Sequence, residues 1–188
     1  MNIVLVAYDE EDKDKINNKN YIDEIFFQGN LTLKNRKKFH DNMKKAVFCF
    51  NSKNKNKSLL QIKEQIDTIF VVGHHENFCE IGLMHSPGIT PENFCDKLYF
   101  ECKENIKNIQ KIIFFVCNSA CDNIKNDSFC ARFYNYFHAK YKNDNLIVGG
   151  FIGFLFEDPI KKRTYLTKKY NDYSKIYRAD DNIIYYKK

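Results

Sequence analysis

Two apolar runs dominate the pattern of hydrophobic and polar positions along the chain. The first covers residues 68–73 and is followed by His74 and His75, and the second covers residues 112–116 and is followed by Cys117. Continuous runs of β-branched and aromatic residues are typical of strands that are buried on both faces, as in parallel sheets. Because ligands bind at the carboxyl ends of parallel strands, the pattern predicts that a histidine and a cysteine meet at one edge of a sheet.

Strand and helix patterns alternate before the first run. The short apolar stretches are rich in β-branched residues, and the helical stretches carry apolar residues three or four positions apart. The predicted elements are, in order, a strand at residues 3–7, an amphipathic helix at residues 31–46, a strand at residues 46–50, and a short helix capped by Ser58 with Leu59, Ile62 and Ile66 on one face.

Two further helices are predicted, one on each side of the second run. Thr90 is a good N-cap and Pro91 suits the first helical position, so a helix begins there and is expected to end near Asn108. A later helix is capped by Asp127 or Ser128. The other predicted features are a strand or half of a hairpin at residues 78–84, a helical face of Phe129, Phe133, Phe137 and Tyr141, a strand at residues 146–156 broken by Gly149, Gly150 and Gly153, and closing antiparallel strands at residues 162–166 and 176–186.

The alternation of these elements predicts the fold class. It is typical of an α/β protein with a mostly parallel central sheet that helices cover on both faces. The last strands predict an antiparallel, β-rich carboxyl-terminal end. With 188 residues, of which 44% are hydrophobic, the chain has enough apolar surface for a single domain spanning residues 1–188.

Composition excludes several classes of protein. No apolar run approaches the roughly 20 residues that cross a bilayer, so no transmembrane segment is expected. Residues 3–7 are too short for a signal peptide and acidic residues follow them, which predicts a cytoplasmic protein or secretion without a cleaved signal. The seven cysteines are odd in number and irregularly spaced, unlike a secreted disulfide framework.

Positive charge is concentrated at the carboxyl-terminal end. Residues 161–188 hold nine Lys or Arg and three Asp or Glu, a net charge of +6 that equals the total for the whole chain. Such a segment could bind an anion such as a polyphosphate, a membrane surface or nucleic acid. It could equally be a solvated hairpin whose lysines protect its edge from aggregation.

Cys117 and His74 are the candidate catalytic pair. A cysteine becomes a nucleophile as its thiolate, and a nearby imidazole can take its proton. Taken singly, Cys117 could be a small buried apolar residue and His74 a polar residue at the end of a strand. Their joint occurrence after two buried strands favours the chemical interpretation.

Two short motifs surround this pair, Val-Val-Gly-His-His at residues 71–75 and Phe-Phe-Val-Cys-Asn-Ser-Ala at residues 114–120. In order and spacing over residues 66–156, the chain resembles the caspase-like cysteine peptidases of clan CD. In particular, the motifs resemble those of the autoprocessing domains of large bacterial toxins and of the related bacterial caspase-like domains. The resemblance implies a three-layer caspase-like fold and a protein or peptide substrate.

The resemblance also implies roles for individual residues. Cys117 would be the nucleophile, and His74 would be the general base and acid, favoured over His75 by its position. The backbone amides of Cys117 and His75 would form the oxyanion hole. His75 stands where the family has glycine. Glu157 and Asp158, which follow the next strand, are candidates to meet a basic P1 side chain or are ordinary loop carboxylates.

The expected ligands follow from the same resemblance. No cofactor or metal is required, and no nucleic acid partner is expected. The toxin domains bind inositol hexakisphosphate at a basic site, which the lysine-rich end of this chain would suit, although no individual lysine can be matched. A self-processing protease or a bacterial effector would fit these features.

Other chemistries are weighed against the peptidase. Zinc could use Cys117, Cys121, His74, His75 and Cys79, but the spacing lacks the usual Cys-x-x-Cys pairs. A phosphatase loop would need an arginine where Asn123 stands, and no glycine-rich phosphate loop opens a lysine-bearing helix. The alternative from another class is a non-catalytic caspase-like module that binds protein or polyanions.

Overall fold

The computed structural model describes residues 1–8, 43–49, 62–77, 80–82, 89–121, 128–158, 163–169 and 172–188. The strands are β1 (Asn2–Tyr8), β2 (Met43–Cys49), β3 (Thr68–Val72), β4 (His74–Asn77), β5 (Glu80–Gly82), β6 (Lys111–Phe115), β7 (Ile147–Gly150), β8 (Phe154–Asp158), β9 (Arg163–Thr167), β10 (Tyr177–Arg178) and β11 (Ile184–Tyr186). The helices are α1 (Pro91–Cys102) and α2 (Phe129–Tyr141), with 3₁₀ turns at Lys103–Ile106 and Ala179–Asn182.

Six of the described strands form one sheet in the order β2–β1–β3–β6–β7–β11. The first five pair in parallel, and β11 runs antiparallel to β7. β8, β9 and β10 form a separate antiparallel sheet, and β4 pairs with β5 in a two-stranded one. The α/β class, the mostly parallel sheet and the antiparallel strands near the carboxyl-terminal end are therefore confirmed.

Both described helices pack on one face of the main sheet through a cluster of phenylalanines. Phe114 of β6 meets Phe129 and Phe133 of α2 edge to face, with ring centroids 5.1 Å apart in each pair. Phe94 of α1 lies 5.7 Å from the same ring. These side chains and Phe137 are fully buried, which confirms the apolar face predicted for α2. Offset and edge-to-face rings stabilise such a core beyond the area that they bury.

The opposite face of the sheet is also apolar. Successive side chains of a strand point to opposite faces, so Ile113 and Phe115 of β6 lie on this second face, and both are buried. Phe115 contacts Phe70 of β3 and Phe151, with ring centroids 6.0 Å and 5.3 Å away. Within the described part of the chain, neither α-helix lies on this face, so the expected three-layer arrangement stays a prediction.

The start of α1 is confirmed, but the helix is shorter than predicted. Thr90 caps it by accepting a hydrogen bond from Asn93 N at 3.4 Å, and Pro91 takes the first position. The helix ends at Cys102 instead of near Asn108. At Lys103 the backbone φ is +42°, which ends the α-helical geometry, and a 3₁₀ turn follows.

Two helical predictions that precede strand β3 are wrong where the structure describes them. Residues 43–46 belong to strand β2 and not to a helix. Ile62 and Ile66 are buried as expected, but residues 62–67 are not helical. Asn105 explains the difference, since its side chain donates to the Ile62 carbonyl at 2.6 Å and its carbonyl accepts from Ile66 N at 2.8 Å. Tertiary hydrogen bonds thus replace helical ones.

The apolar stretch at residues 146–156 is two strands and not one. β7 belongs to the main sheet and β8 to the small antiparallel sheet, because the chain bends between them at Gly153, where φ is +126°. The stretch at residues 176–186 is likewise divided by a 3₁₀ turn, so that β10 joins the small sheet and β11 the main one. In both stretches the apolar pattern continues through a change of sheet.

The remaining predictions are settled only in part. The expected half-hairpin at residues 78–84 is confirmed in β5, which pairs with β4. Residues 31–42 of the first predicted helix, and Ser58 and Leu59 of the second, lie outside the described residues. Over the ranges given above, neither helix is both long enough and apolar enough to cross a bilayer.

Candidate active site

The carboxyl ends of β3 and β6 lie side by side in the main sheet. Val72 at the end of β3 is in register with Phe115 at the end of β6. His74 and Cys117 each lie two positions beyond this last pair. Since paired strands are about 4.8 Å apart, the backbones at His74 and Cys117 follow neighbouring strands out of the same edge of the sheet.

His74 and His75 begin the two-stranded sheet. In the antiparallel pairing of β4 and β5, His74 lies opposite Gly82 and His75 opposite Ile81. The register shifts between His75 and Asn77, as in a β-bulge. Bulges re-aim the backbone and are frequent next to active sites. Because β3 ends at Val72 and β4 begins at His74, the chain leaves the main sheet immediately before the histidine that the sequence favours as the general base.

Cys117 lies in the turn that follows β6, where its side chain is partly buried. The N–H of Leu155 in β8 donates a hydrogen bond to Cys117 Sγ at 3.3 Å, and the Leu155 carbonyl oxygen lies 4.0 Å from the same sulfur. Burial raises the pKa of the Cys117 thiol, and the amides of Leu155 and of Cys117 itself lower it by less. The thiol therefore needs another group to take its proton before it can act as a nucleophile near neutral pH.

The turn after Cys117 is fastened to the segment that leads into β8. Asn118 N donates to the Gly153 carbonyl at 2.8 Å, and Gly153 N donates to Asn118 Oδ1 at 2.8 Å. Ala120 N donates to the Phe151 carbonyl at 3.0 Å. Together with the contact to the thiol, these bonds form a short ladder along every second residue from 151 to 155.

Ser119 anchors the same turn to the core. Its buried hydroxyl donates to the Phe114 carbonyl at 3.2 Å and accepts from Phe151 N at 3.1 Å. Its carbonyl accepts from Cys130 N, in the first turn of α2, at 2.9 Å. A Cβ added at Gly150 would lie only 2.6 Å from the Ser119 hydroxyl, so the absence of a side chain there leaves room for it.

Glu157 and Asp158 lie on the strand that contacts the thiol. They occupy the last two positions of β8, and their partners in β9 are Thr164 and Arg163. Leu155, the contact of Cys117, is two residues before Glu157 on the same strand. A role for the two carboxylates in recognising a basic P1 side chain stays a prediction.

The metal and phosphatase alternatives gain no support from the described ranges. Within those ranges, no group of three or more His, Cys, Asp or Glu residues could hold a metal ion. Cys79, which the zinc hypothesis needs, and Asn123, on which the phosphatase argument depends, lie outside them.

Cys117 differs from three buried cysteines in the described part of the chain. Cys95, Cys102 and Cys130 are buried, and burial raises the pKa of Cys102 to about 12 and raises the pKa of the other two above its ordinary range. Such thiols are inert packing groups. Cys117 and Cys121 are only partly buried, and Cys117 is the one that follows a central parallel strand.

An open groove of about 560 Å³ lies between α1 and α2, and three of its polar lining residues, Asp96, Lys140 and Tyr141, are hydrogen-bonded to one another. Asp96 accepts hydrogen bonds from Lys140 at 2.6 Å, from Tyr136 at 2.8 Å and from Tyr141 at 3.1 Å. Desolvation alone would raise the pKa of Asp96, but these hydrogen bonds outweigh it and lower the pKa. The groups therefore join the two helices, and the groove is not the candidate site.

No protein-family model matches the chain, and no curated protein matches it either. Sequence reasoning misses Leu155, Asn118 and Ser119 as neighbours of the thiol. The available signal is Gly153, a glycine that interrupts an apolar run, which indicates a close approach of another backbone.

Proposed function

We propose that the chain is a caspase-like cysteine endopeptidase in which Cys117 is the nucleophile and His74 the general base and acid. The observation that supports this proposal best is the parallel register of β3 and β6, beyond which His74 and Cys117 follow at matching positions. The substrate would be a protein or peptide, as the resemblance to clan CD peptidases suggests. A bacterial effector or a self-processing protease would fit the same chemistry.

In the proposed reaction, His74 takes the proton of the Cys117 thiol as the sulfur attacks the substrate carbonyl. The same imidazole then gives its proton to the leaving amine, and water hydrolyses the acyl-enzyme. The amides of Cys117 and His75 would stabilise the oxyanion. The raised pKa of the thiol makes such a proton acceptor necessary near neutral pH.

A peptidyl electrophile that labels active cysteine peptidases tests this proposal under reducing conditions. We expect labelling of the wild-type protein, none of Cys117→Ala, and a rate lower by about 100-fold or more in His74→Ala, as for loss of a general base. His75→Ala is the matched control, since the proposal uses only its backbone amide and labelling should persist. Cys121→Ala should also be labelled.

The same experiment decides between the peptidase and the alternative class. If the folded wild-type protein is not labelled, the peptidase proposal fails and a non-catalytic caspase-like module is supported. If His75→Ala is labelled slowly and His74→Ala is labelled as wild type is, the general base is His75 and the assignment of His74 is wrong.

We also propose that the basic carboxyl-terminal region binds an inositol polyphosphate activator, as the resemblance to toxin domains suggests. The support is a set of exposed cations, namely Lys168, Lys169, Lys175, Arg178, Lys187 and Lys188. Calorimetry with inositol hexakisphosphate at physiological salt should show binding that weakens as salt is raised. Absence of binding at that salt would exclude the activator.

A further inference from the structure

Asn118, the residue directly after Cys117, closes a pair of hydrogen bonds with Gly153. Its backbone N–H donates to the Gly153 carbonyl, and its side-chain Oδ1 accepts from Gly153 N, both at 2.8 Å. The main chain and the side chain of Asn118 therefore bind the carbonyl and the N–H of Gly153. We call this pair of hydrogen bonds the Asn118–Gly153 clasp.

Both residues of this clasp have backbone conformations that few residue types adopt. Asn118 has φ of +54°, in the left-handed region that asparagine and glycine tolerate best. Gly153 has φ of +126°, and a Cβ there would lie 2.3 Å from the Thr167 carbonyl oxygen on β9. The clasp thus ties the Cys117 turn to a segment that is itself held against the small sheet.

The clasp lies next to the contact between Cys117 Sγ and Leu155. Asn118 follows Cys117, and Gly153 precedes Leu155 by two positions, so the two contacts are adjacent rungs of the same ladder. Holding one rung fixes the distance at which the Leu155 N–H faces the sulfur. Groups held in this way act with little reorganisation when a reaction begins.

We propose that Asn118 is a positioning residue for the nucleophile, and that the Asn118–Gly153 clasp holds the Cys117 thiol against the start of β8. This inference deepens the proposed function and rests on it for its catalytic meaning. The effect of the clasp on the environment of the thiol can be measured even if the protein has no peptidase activity.

The test compares alkylation of Cys117 by iodoacetamide in wild type, Asn118→Gly and Asn118→Ala as a function of pH, with the modified residue identified by mass spectrometry. Asn118→Gly keeps access to the left-handed region but loses the Oδ1 acceptor, and Asn118→Ala loses both. With the clasp open, the thiol becomes more hydrated, so we expect the pH midpoint of alkylation to fall toward the ordinary value of about 8.5, more in the alanine variant.

Peptide cleavage gives the second readout. We expect kcat to fall by about tenfold in Asn118→Gly, the size expected from losing one hydrogen bond to a part-buried group, with KM little changed. Asn145→Gly is the matched control, because it makes the same change at an exposed turn before β7, at the opposite end of the strands. Its alkylation profile and kcat should equal those of wild type.

The outcomes separate the two proposals. If the alkylation profile shifts but wild type cleaves nothing, the clasp stands and the peptidase proposal fails. If both folded variants alkylate as wild type does, the clasp proposal is overturned whatever the activity. Should the variants fail to fold, amide exchange in wild type decides, because a Gly153 N–H that exchanges at the rate of an unprotected amide would also overturn it.

Discussion

Gly153, which is hydrogen-bonded to the Cys117 turn, combines a restricted backbone conformation with close packing. Its φ of +126° lies in a region that side chains rarely adopt, and the nearest atom to an added Cβ is a backbone oxygen, that of Thr167. Gly149 differs, because a Cβ there would first meet the end of the Ile113 side chain at 2.5 Å. A side-chain end can move aside, whereas a strand carbonyl can move only with its strand.

Replacing Gly153 with alanine should therefore destabilise the protein more than replacing Gly149. We expect a loss of about 2–4 kcal/mol in the free energy of unfolding for Gly153→Ala, from backbone strain plus the displaced carbonyl. For Gly149→Ala we expect about 1 kcal/mol, the lower end of the range for overpacking. Urea denaturation of the two variants measures both values, and equal losses would refute the role given to the Thr167 carbonyl.

At the scale of elements, the amino terminus of α2 is joined to the last strand and to the Cys117 turn. Ser128 caps the helix by accepting from Ala131 N at 3.1 Å, and its hydroxyl lies 2.8 Å from Tyr186 Oη of β11. Tyr186 Oη donates to the Ala120 carbonyl at 3.3 Å. A phenol has one proton, so in this arrangement the serine donates to the tyrosine and the tyrosine donates to the carbonyl.

Ser128→Ala should lower the free energy of unfolding by about 1–2 kcal/mol, because it removes both the cap and one of the hydrogen-bond partners of Tyr186. Thr90→Ala at α1 is the matched comparison and should cost less than about 1 kcal/mol, since its cap bond is long at 3.4 Å and exposed. Urea denaturation measures both.

The coupling of Ser128 with Tyr186 is measured by a double-mutant cycle with Tyr186→Phe. We expect an interaction free energy of about 0.5–1 kcal/mol, as for residues that share a hydrogen bond. Strictly additive effects would show that the two hydroxyls do not act together.

For the molecule as a whole, the buried cysteines predict a loss of stability in alkali. Burial raises the pKa of Cys102 to about 12 and raises that of Cys95 and Cys130 as well. In the unfolded chain these thiols ionise near their ordinary pKa of about 8.5, while in the folded state they stay protonated. The contribution of these thiols to the free energy of unfolding is therefore fully present below that pH. It is lost as the pH rises through the range between the unfolded and folded pKa values.

Urea midpoints measured from pH 7 to pH 10.5 under reducing conditions should fall above about pH 8.5. Each buried thiol contributes at most about 1.4 kcal/mol per pH unit to this decline in the free energy of unfolding. The variant Cys95→Ala/Cys102→Ala should be less stable at pH 7 because it leaves small cavities, yet its stability should decline less steeply in alkali. Parallel curves for the variant and wild type would contradict this account.

Features that depend on neighbouring residues are predictable from the sequence. The caps at Thr90 and Ser128, the buried face of α2 and the strands that precede His74 and Cys117 are confirmed, since each follows from local hydrogen bonding or from the spacing of apolar residues. The parallel alternation follows as well, because buried strands joined through helices have few ways to pack. These features by themselves point to Cys117 and His74 as the candidate pair.

Features that depend on partners distant in the chain are not predictable from the local sequence pattern. Residues 62–67 bond to Asn105, the stretch at residues 146–156 divides between two sheets, and β11 joins the main sheet at its edge. An apolar pattern states that a segment is buried, but it does not state which partner buries it.

The sequence by itself determines the two apolar runs and the residues that follow them, because buried strands have a characteristic composition. It does not determine which residues contact the Cys117 thiol. Leu155 lies 38 positions away, and only the bend at Gly153 brings its N–H to the sulfur. The backbone hydrogen bonds of Asn118 and Ser119 carry no sequence signal, since every residue except proline has the same backbone N–H and carbonyl.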